Sequence, residues 1–235
     1  SLASARDRIA AALPSQCAVC RGWQGERICA ECSARFVRPA PRCLRCAIEV
    51  PEGVALCGGC VLHPPPFERC IAAVGHAYPW NSLVAAMKFR DGLDLVGPLA
   101  GRLLAAVREA QAPPVQLIVP TPLATARLAE RGYNQAWELA RWLGARLELP
   151  ARADLLLRLR DTPHQLGLSL EEREANVRGA FAADPLQASA LRGRAIAIVD
   201  DVMTTGATLS EIARSLRLAG ASSVQAWVLA RTPKP

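Results

Sequence analysis

Residues 196–209 read I-A-I-V-D-D-V-M-T-T-G-A-T-L, and this stretch decides the fold. Its first four residues are apolar and mostly β-branched, which predicts a short buried strand over Ile196–Val199. Two adjacent acids, Asp200 and Asp201, follow at the carboxyl end of that strand. A turn of small residues over 204–208 then leads into a helical pattern beginning at Leu209. Strand, acids, turn and helix in this order are typical of an α/β protein with a parallel sheet.

The turn has the chemistry of an anion site. A turn that feeds a helix presents unpaired backbone N–H groups, and the helix dipole adds partial positive charge. Gly206 allows close approach of the main chain or a positive φ, and the threonines supply hydroxyl donors. Because carboxylates accept hydrogen bonds from vicinal hydroxyls, the stretch predicts a sugar-phosphate site. It resembles the phosphoribosyl-diphosphate (PRPP) binding motif of type I phosphoribosyltransferases, the structural alternative being an acid pair followed by a threonine-rich helix cap.

Length and composition set the outer bounds. The chain has 235 residues, 51% of them apolar, which suits one ordinary domain plus a small one. No apolar run approaches ~18 residues, so no membrane span is expected. Residues 1–13 predict a surface helix rather than a secretory signal. The formal net charge is +7, but eight zinc-bound thiolates would lower it by four, so basic character is a weak argument for nucleic acid.

Cysteines dominate the first quarter of the chain. Four Cys-x-x-Cys pairs are separated by 8, 10 and 10 residues, a strong zinc signal. Two pairs complete a tetrahedral four-sulfur shell, which is structural because no position stays open. Spacing leaves sequential and cross-braced pairing open. A disulfide framework is the alternative, but the odd ninth cysteine, Cys70, favours a reducing cytoplasm. The candidate metal ligands are Cys17, Cys20, Cys29, Cys32, Cys43, Cys46, Cys57 and Cys60.

The domain boundary is predicted at a stiff, proline-rich connection. Few large apolar residues lie between Cys17 and Cys60, so zinc binding, on the order of 10–16 kcal/mol per site, would stabilise this segment. The run His63–Phe67 contains three consecutive prolines. We therefore expect residues 1–66 to form an N-terminal helix and a double zinc ribbon, and residues 67–235 to form the α/β domain.

Strand and helix patterns alternate through the rest of the chain. Strands are predicted over 71–77, 115–119, 155–159 and 224–229. Helices are predicted over 80–89, from a cap at Asp94 through 107, and over 136–149, with a capping box at 169–172 and a basic polar loop between 123 and 135. Such alternation predicts a mainly parallel sheet with helices on both faces.

Taken together, these motifs resemble the ComF family, bacterial proteins that join a zinc segment to a type I phosphoribosyltransferase domain and of which some serve DNA uptake in natural transformation. The resemblance rests on the four cysteine pairs and on six further stretches. They are Lys88–Arg90, Leu117–Pro120, Arg131–Gln135, 160–165, 173–181 and Asp200–Thr208.

The resemblance implies a site for PRPP with Mg²⁺, besides two structural Zn²⁺. The acids would hold ribose hydroxyls or magnesium-bound water, the turn would cradle the 5′-phosphate, and the loop after the 115–119 strand would take the diphosphate. Lys88, Arg90, Arg173, Asn176, Arg178 and His164 are weaker candidates. The implied PRPP-binding residues are Asp200, Asp201, Thr204, Thr205, Gly206, Ala207, Thr208, Pro120, Thr121, Arg127 and Arg131.

Thr204 departs from the purine-type pattern, in which that position is an acid able to act as a base toward the nucleobase. Three functions therefore remain open. The chain transfers phosphoribosyl to an unknown acceptor, it binds PRPP as a sensor or adaptor without turnover, or it binds single-stranded DNA with other DNA-uptake proteins through its zinc ribbons and arginine-rich loops.

Overall fold

A computed structural model of the chain describes residues 15–160 and 175–233, without the side chains of Arg90 and Asp91. Strands in the described part are β1 Ser15–Gln16, β2 Trp23–Gln24, β3 Arg69–Gly75, β4 Leu117–Pro120, β5 Leu156–Arg158, β6 Phe181–Ala183, β7 Ala195–Met203 and β8 Ser223–Arg231. Its helices are α1 Ala30–Phe36, α2 Gly58–Leu62, α3 Trp80–Met87, α4 Val96–Glu109, α5 Thr125–Arg131, α6 Gln135–Leu147 and α7 Ala207–Leu218, with 3₁₀ helices at Arg90–Leu95 and Ala188–Ala190.

The centre of the fold is a four-stranded parallel sheet in the order β3-β8-β7-β4. Alternate residues of β7 face opposite sides, so Ile196 and Ile198 belong to one buried cluster and Ala197 and Val199 to the other. Helices α3, α4 and α6 cover the second cluster, called the α3–α4 core below. Helix α7 and the antiparallel β5–β6 pair cover the first cluster, called the α7-side core. The predicted mainly parallel sheet with helices on both faces is therefore confirmed.

Several element boundaries differ from the sequence prediction. Strand β7 runs through both aspartates to Met203, because its backbone continues to pair with β8 as far as Arg231. The 123–135 segment predicted as a loop contains helix α5. Asp94 does not cap α4: it lies in the preceding 3₁₀ helix, and its carboxylate pairs with Arg27 at 2.5 Å.

The cysteine-rich segment packs against the sheet domain at two places. Around the first four cysteines, Ile28 joins the α3–α4 core, and the indole N–H of Trp80 donates to the Phe36 carbonyl at 3.0 Å. Around the last four, Cys43 and Cys60 are buried with the α7-side core. The predicted boundary at residue 66 stays a prediction.

Two further sequence predictions, the helix over residues 1–13 and the capping box at 169–172, lie outside the described residues. None of the described helices has the length and apolar character needed to cross a bilayer.

Candidate functional site

The two acids lie at the carboxyl end of the central strand β7 and differ in their surroundings. Asp201 is buried, and its side-chain carboxylate accepts the N–H of Val202 at 2.8 Å. Asp200 is half-buried and accepts the N–H of Asp201 at 2.8 Å. Each carboxylate is thus held against its neighbouring backbone amide, so both side chains are fixed where the parallel strands end.

Burial first, and the Asp201 carboxylate second, raise the pKa of Asp200 to about 8. The Asp200 carboxyl therefore gives up its proton less readily than an ordinary aspartate. A cation bound close to it would favour the ionised form.

The turn after β7 is shaped by Gly206. Its φ of +88° lies in the left-handed region, where it acts as N-cap of the twelve-residue helix α7. A Cβ at this position would lie 2.6 Å from the Met203 methyl, the far end of a flexible side chain, so the backbone conformation rather than the space is what requires glycine here. The hydroxyl of Thr205 accepts the Ala207 N–H at 3.3 Å. The helix begins at Ala207, so Ala207 and Thr208 belong to its first turn rather than to the preceding loop.

Lys88 reaches the acid pair from the end of α3. Its ammonium lies 2.9 Å from the Asp201 carboxylate, which also faces the Gln135 amide nitrogen at 3.5 Å. The side-chain oxygen Oε1 of Gln135 in turn accepts from the Arg131 guanidinium at 3.1 Å. One connected chain of polar contacts therefore joins the arginine at the end of α5 to the acids of β7.

Lys88 was among the weaker candidates in the sequence, because a solvated helix end explained it equally well. The structure positions it through Tyr133, whose hydroxyl donates to the backbone carbonyls of Met87 and Phe89. His76, which follows β3, lies near enough that Lys88 and Asp201 both affect it; burial first, then Lys88, lowers its pKa. The sequence signal that could have found Lys88 is the presence of both Lys88–Arg90 and Arg131–Gln135 among the stretches that carry the family resemblance.

The loop after β4 is tied to the same site. Thr121 continues the strand, its N–H donating to the Val199 carbonyl at 2.9 Å. Its carbonyl accepts from the Asn134 side-chain amide at 3.0 Å, while the side-chain oxygen Oδ1 of Asn134 caps α6 by accepting the Ala136 N–H at 2.9 Å. Asn134 therefore fixes the Pro120–Thr121 loop to the start of α6.

Two other candidates remain apart from this network. Arg127 lies half-buried on α5 and makes no hydrogen bond or ion pair with the described residues. Arg178 lies near β6, where its carbonyl accepts from the Arg160 guanidinium. Arg173 and His164 fall outside the described residues.

The eight cysteines form two sequential clusters, so cross-braced pairing does not occur. Within each cluster all four sulfur atoms lie within 4.8 Å of one another. A tetrahedral zinc with Zn–S bonds of about 2.3 Å requires sulfur–sulfur distances of ~3.8 Å. The Cys20–Cys29 and Cys46–Cys57 sulfur distances are 3.9 and 3.6 Å, so the donor sets fit. The members are Cys17, Cys20, Cys29 and Cys32, and Cys43, Cys46, Cys57 and Cys60.

One thiol in each cluster is prepared for ionisation. Burial opposes ionisation of Cys17, but hydrogen bonds from backbone N–H groups, led by that of Cys29, outweigh it and lower its pKa to about 6. The same balance lowers the pKa of Cys43 to about 7, with Cys57 supplying the leading N–H at 3.3 Å. Burial raises the pKa of Cys32 to about 12, so that thiol needs a metal to lose its proton.

Comparisons with known proteins agree with both parts of the chain. Residues 9–61 match the family model described as "Double zinc ribbon domain", and residues 146–235 match "Phosphoribosyl transferase domain". "Competence protein F" of Haemophilus influenzae is 32% identical, covering 92% of this chain and 96% of the relative. "DNA utilization protein YhgH" of Escherichia coli K12 is 34% identical, covering 94% and 98%. Among solved structures, a Bacillus subtilis glutamine PRPP amidotransferase aligns at TM-score 0.39 and 21% identity, over 59% of this chain and 27% of that one.

The fold and the cysteine clusters define a double-zinc-ribbon protein with a phosphoribosyltransferase-type domain. Within that class the chain belongs to the ComF family, together with Competence protein F and YhgH.

Proposed function

We propose that this chain binds PRPP with Mg²⁺ at the carboxyl ends of β4 and β7 and transfers its phosphoribosyl group to an acceptor. The observation that supports this most directly is the placement of an acid pair, a left-handed Gly206 and the N-terminus of α7 at one end of a parallel sheet. A phosphate and a ribose attached to it need these two kinds of partner side by side.

The residues divide between the parts of the ligand. The turn Thr204–Thr208 offers backbone N–H groups and hydroxyls to the 5′-phosphate. Asp200 and Asp201 accept from the ribose hydroxyls or from water bound to magnesium. The Pro120–Thr121 loop faces the diphosphate, and Arg127 and Arg131 supply positive charge to it.

Chemistry at such a site depends mainly on positioning and charge. The anomeric carbon gains positive character as the diphosphate leaves, and magnesium, when bound, neutralises the leaving group. This chain's residues would hold the ribose with the acids and the leaving group with its arginines. Thr204 occupies the position where purine-type enzymes carry a further acid, so the acceptor must be deprotonated by another group or bind already ionised.

The relatives' names connect this family with competence and DNA utilization. We therefore place the proposed activity in DNA uptake. A PRPP sensor without turnover uses the same site, whereas direct binding of single-stranded DNA would depend on basic surfaces and fall with salt.

Calorimetric titration of the zinc-loaded chain with PRPP and Mg²⁺ tests the binding step. We expect saturable binding, weakened about tenfold or more in Asp201→Asn, because a hydrogen bond to a charged group contributes about 1.5–3 kcal/mol. Glu130→Gln is the matched control: it removes the same charge from an exposed position of α5 and should leave the affinity unchanged. Absence of PRPP affinity in the parent chain would refute the proposal.

Release of diphosphate separates transferase from sensor. Incubation with PRPP, Mg²⁺ and a cell extract should release diphosphate with the parent chain and not with Asp201→Asn. Binding without release identifies the sensor. Salt-sensitive DNA binding that survives in Asp201→Asn, without PRPP binding, identifies the nucleic-acid alternative.

A further inference from the structure

Arg231, the last residue of β8, has a fully buried guanidinium, with 2% of the residue exposed. Its Nε donates to the Cys46 carbonyl at 2.7 Å, and its Nη1 donates to the Met203 carbonyl at 3.1 Å and to the Thr204 carbonyl. No carboxylate among the described residues lies within ion-pair distance of it. Nη1 also donates to the Thr232 carbonyl at 2.5 Å, and Nη2 is buried without a hydrogen-bond partner among the described residues. Nε and Nη1 are therefore committed to backbone carbonyls, and the fixed fork of the guanidinium matters as much as its charge.

The two ends of this bridge belong to different parts of the protein. Cys46 is a member of the second tetracysteine cluster. Met203 and Thr204 begin the turn that leads to α7. Met203 also lies beneath Gly206, because its methyl occupies the space that a Cβ there would need. A change in the position of the Met203–Thr204 backbone would therefore reach the whole turn.

Within residues 15–160 and 175–233, no such connection joins the first tetracysteine cluster to the turn. Its described contacts with the sheet domain run to α3 and the 3₁₀ helix, through the Phe36 carbonyl to Trp80 and through Arg27 to Asp94. These contacts lie with the α3–α4 core, whereas the second cluster is buried with the α7-side core.

We propose that Arg231 is a positioning residue that couples the second tetracysteine site to the turn, so that metal at that site, and not at the first, sets the turn's conformation. The role of the turn as a phosphate site rests on the function proposed above. A closed metal shell fixes the Cys46 carbonyl. When the shell opens, Nε loses its partner, and the guanidinium no longer holds the Met203 and Thr204 carbonyls in place.

The alternative is that Arg231 only strengthens the end of the sheet. In that case any comparable loss of stability would loosen the turn, and the two tetracysteine sites would be equivalent. A matched pair of double variants, Cys17→Ser/Cys20→Ser and Cys43→Ser/Cys46→Ser, distinguishes the two explanations because each removes one metal site by the same chemical change.

Hydrogen–deuterium exchange of the full chain is the readout, with the zinc content of each variant measured in parallel. In a peptide covering residues 200–210 we expect exchange about tenfold faster in the second-site variant, the size expected for one lost hydrogen bond to a charged group. The first-site variant should stay within about twofold of the parent. Equal acceleration in both variants, or in neither, would overturn the proposal.

Chemical rescue tests Arg231 itself. Arg231→Ala should lose protection of the same peptide, and guanidinium at low, non-denaturing concentration should restore it, whereas sodium at the same ionic strength should not. If guanidinium does not restore protection of the peptide, that result contradicts the role. If Arg231→Ala does not fold, Arg231→Lys serves instead: its ammonium keeps the charge without the fork, so accelerated exchange supports the role and parent-like exchange overturns it.

This readout is independent of ligand binding. A chain that fails to bind PRPP but shows the site-selective exchange refutes the proposed function and keeps the coupling. If both cysteine variants bind PRPP with equal affinity and show equal exchange, the proposed function is kept and the coupling is refuted.

Discussion

The ribbon segment, residues 15–62, and the four-stranded sheet are stabilised by different kinds of contact. In the sheet, strands β4, β7 and β8 bury almost every side chain between two layers. In the ribbons the buried residues are mostly the cysteines themselves, while Trp23 is 72% and Leu62 74% exposed. The sheet is thus held by apolar burial, and the ribbons depend on whatever closes their sulfur clusters.

Because of this difference, the sheet folds on the chain alone, whereas the ribbon segment folds only when its metal sites are closed. Burial of apolar surface needs nothing but the chain, whereas a tetrathiolate shell needs a metal and a reducing environment. Because the second ribbon packs against the core beneath α7, a metal-dependent segment lies near the candidate site.

Zinc removal should produce the largest effect. Binding of structural zinc contributes on the order of 10–16 kcal/mol per site in small zinc domains. A chelator should therefore abolish exchange protection across residues 15–62, while the strand Ile196–Val199 keeps its protection. Hydrogen–deuterium exchange with peptide resolution is the measurement.

Re-addition of zinc is the control and should restore protection of the ribbons. Magnesium at the same concentration should not, because it prefers oxygen ligands. If the ribbon amides stay protected after complete removal of zinc, the ribbons do not depend on metal. The segment would then fold on its few apolar contacts.

A smaller effect is expected inside the sheet, at the acid pair. Burial and Asp201 raise the pKa of Asp200 to about 8, against 3.8 in the unfolded chain. Between these values the folded chain holds a proton that the unfolded chain has released, so stability decreases as the pH rises through this window. Asp200→Asn should remove this dependence and increase the free energy of unfolding at pH 8 by about 1–3 kcal/mol.

Urea unfolding at pH 6 and pH 8 measures this effect, and the gain over the parent should be larger at pH 8. Glu130→Gln, an exposed position, should show no such dependence. An Asp200→Asn variant less stable than the parent at both pH values would mean that the ionised carboxylate is well compensated in the fold.

The sequence was informative where a local pattern determines the structure. The order of acids, small residues and glycine around Gly206 predicted the turn. The spacing of the cysteine pairs predicted two four-sulfur sites but left open which pairs combine. Helix α5 was missed because its charged, short run carries no apolar face; none of its residues is buried. Strand β7 was predicted too short because acids are rare in strands, and only pairing with β8 extends it.

The connections between distant segments could not be predicted. Lys88 meets Asp201, and Arg231 meets Cys46, across 113 and 185 residues respectively. Such pairs depend on the strand order β3-β8-β7-β4, and strand order is not written in any single motif. The sequence therefore offered Lys88 only as a weaker candidate, and it gave no signal for Arg231.

The smallest effect on stability is expected where the first ribbon contacts the sheet domain. The indole N–H of Trp80 donates to the Phe36 carbonyl at 3.0 Å, and the ring itself is buried in the α3–α4 core. Trp80→Phe keeps most of the apolar contact and removes the donor, so it should lower the free energy of unfolding by about 1 kcal/mol. Zinc content should stay at the parent's level, because the sulfur cluster is not touched. If this change instead releases zinc from the first site, the first ribbon depends on its contact with the sheet domain as much as on its metal. The contrast between a sheet held by apolar burial and ribbons held by metal would then not apply to that ribbon.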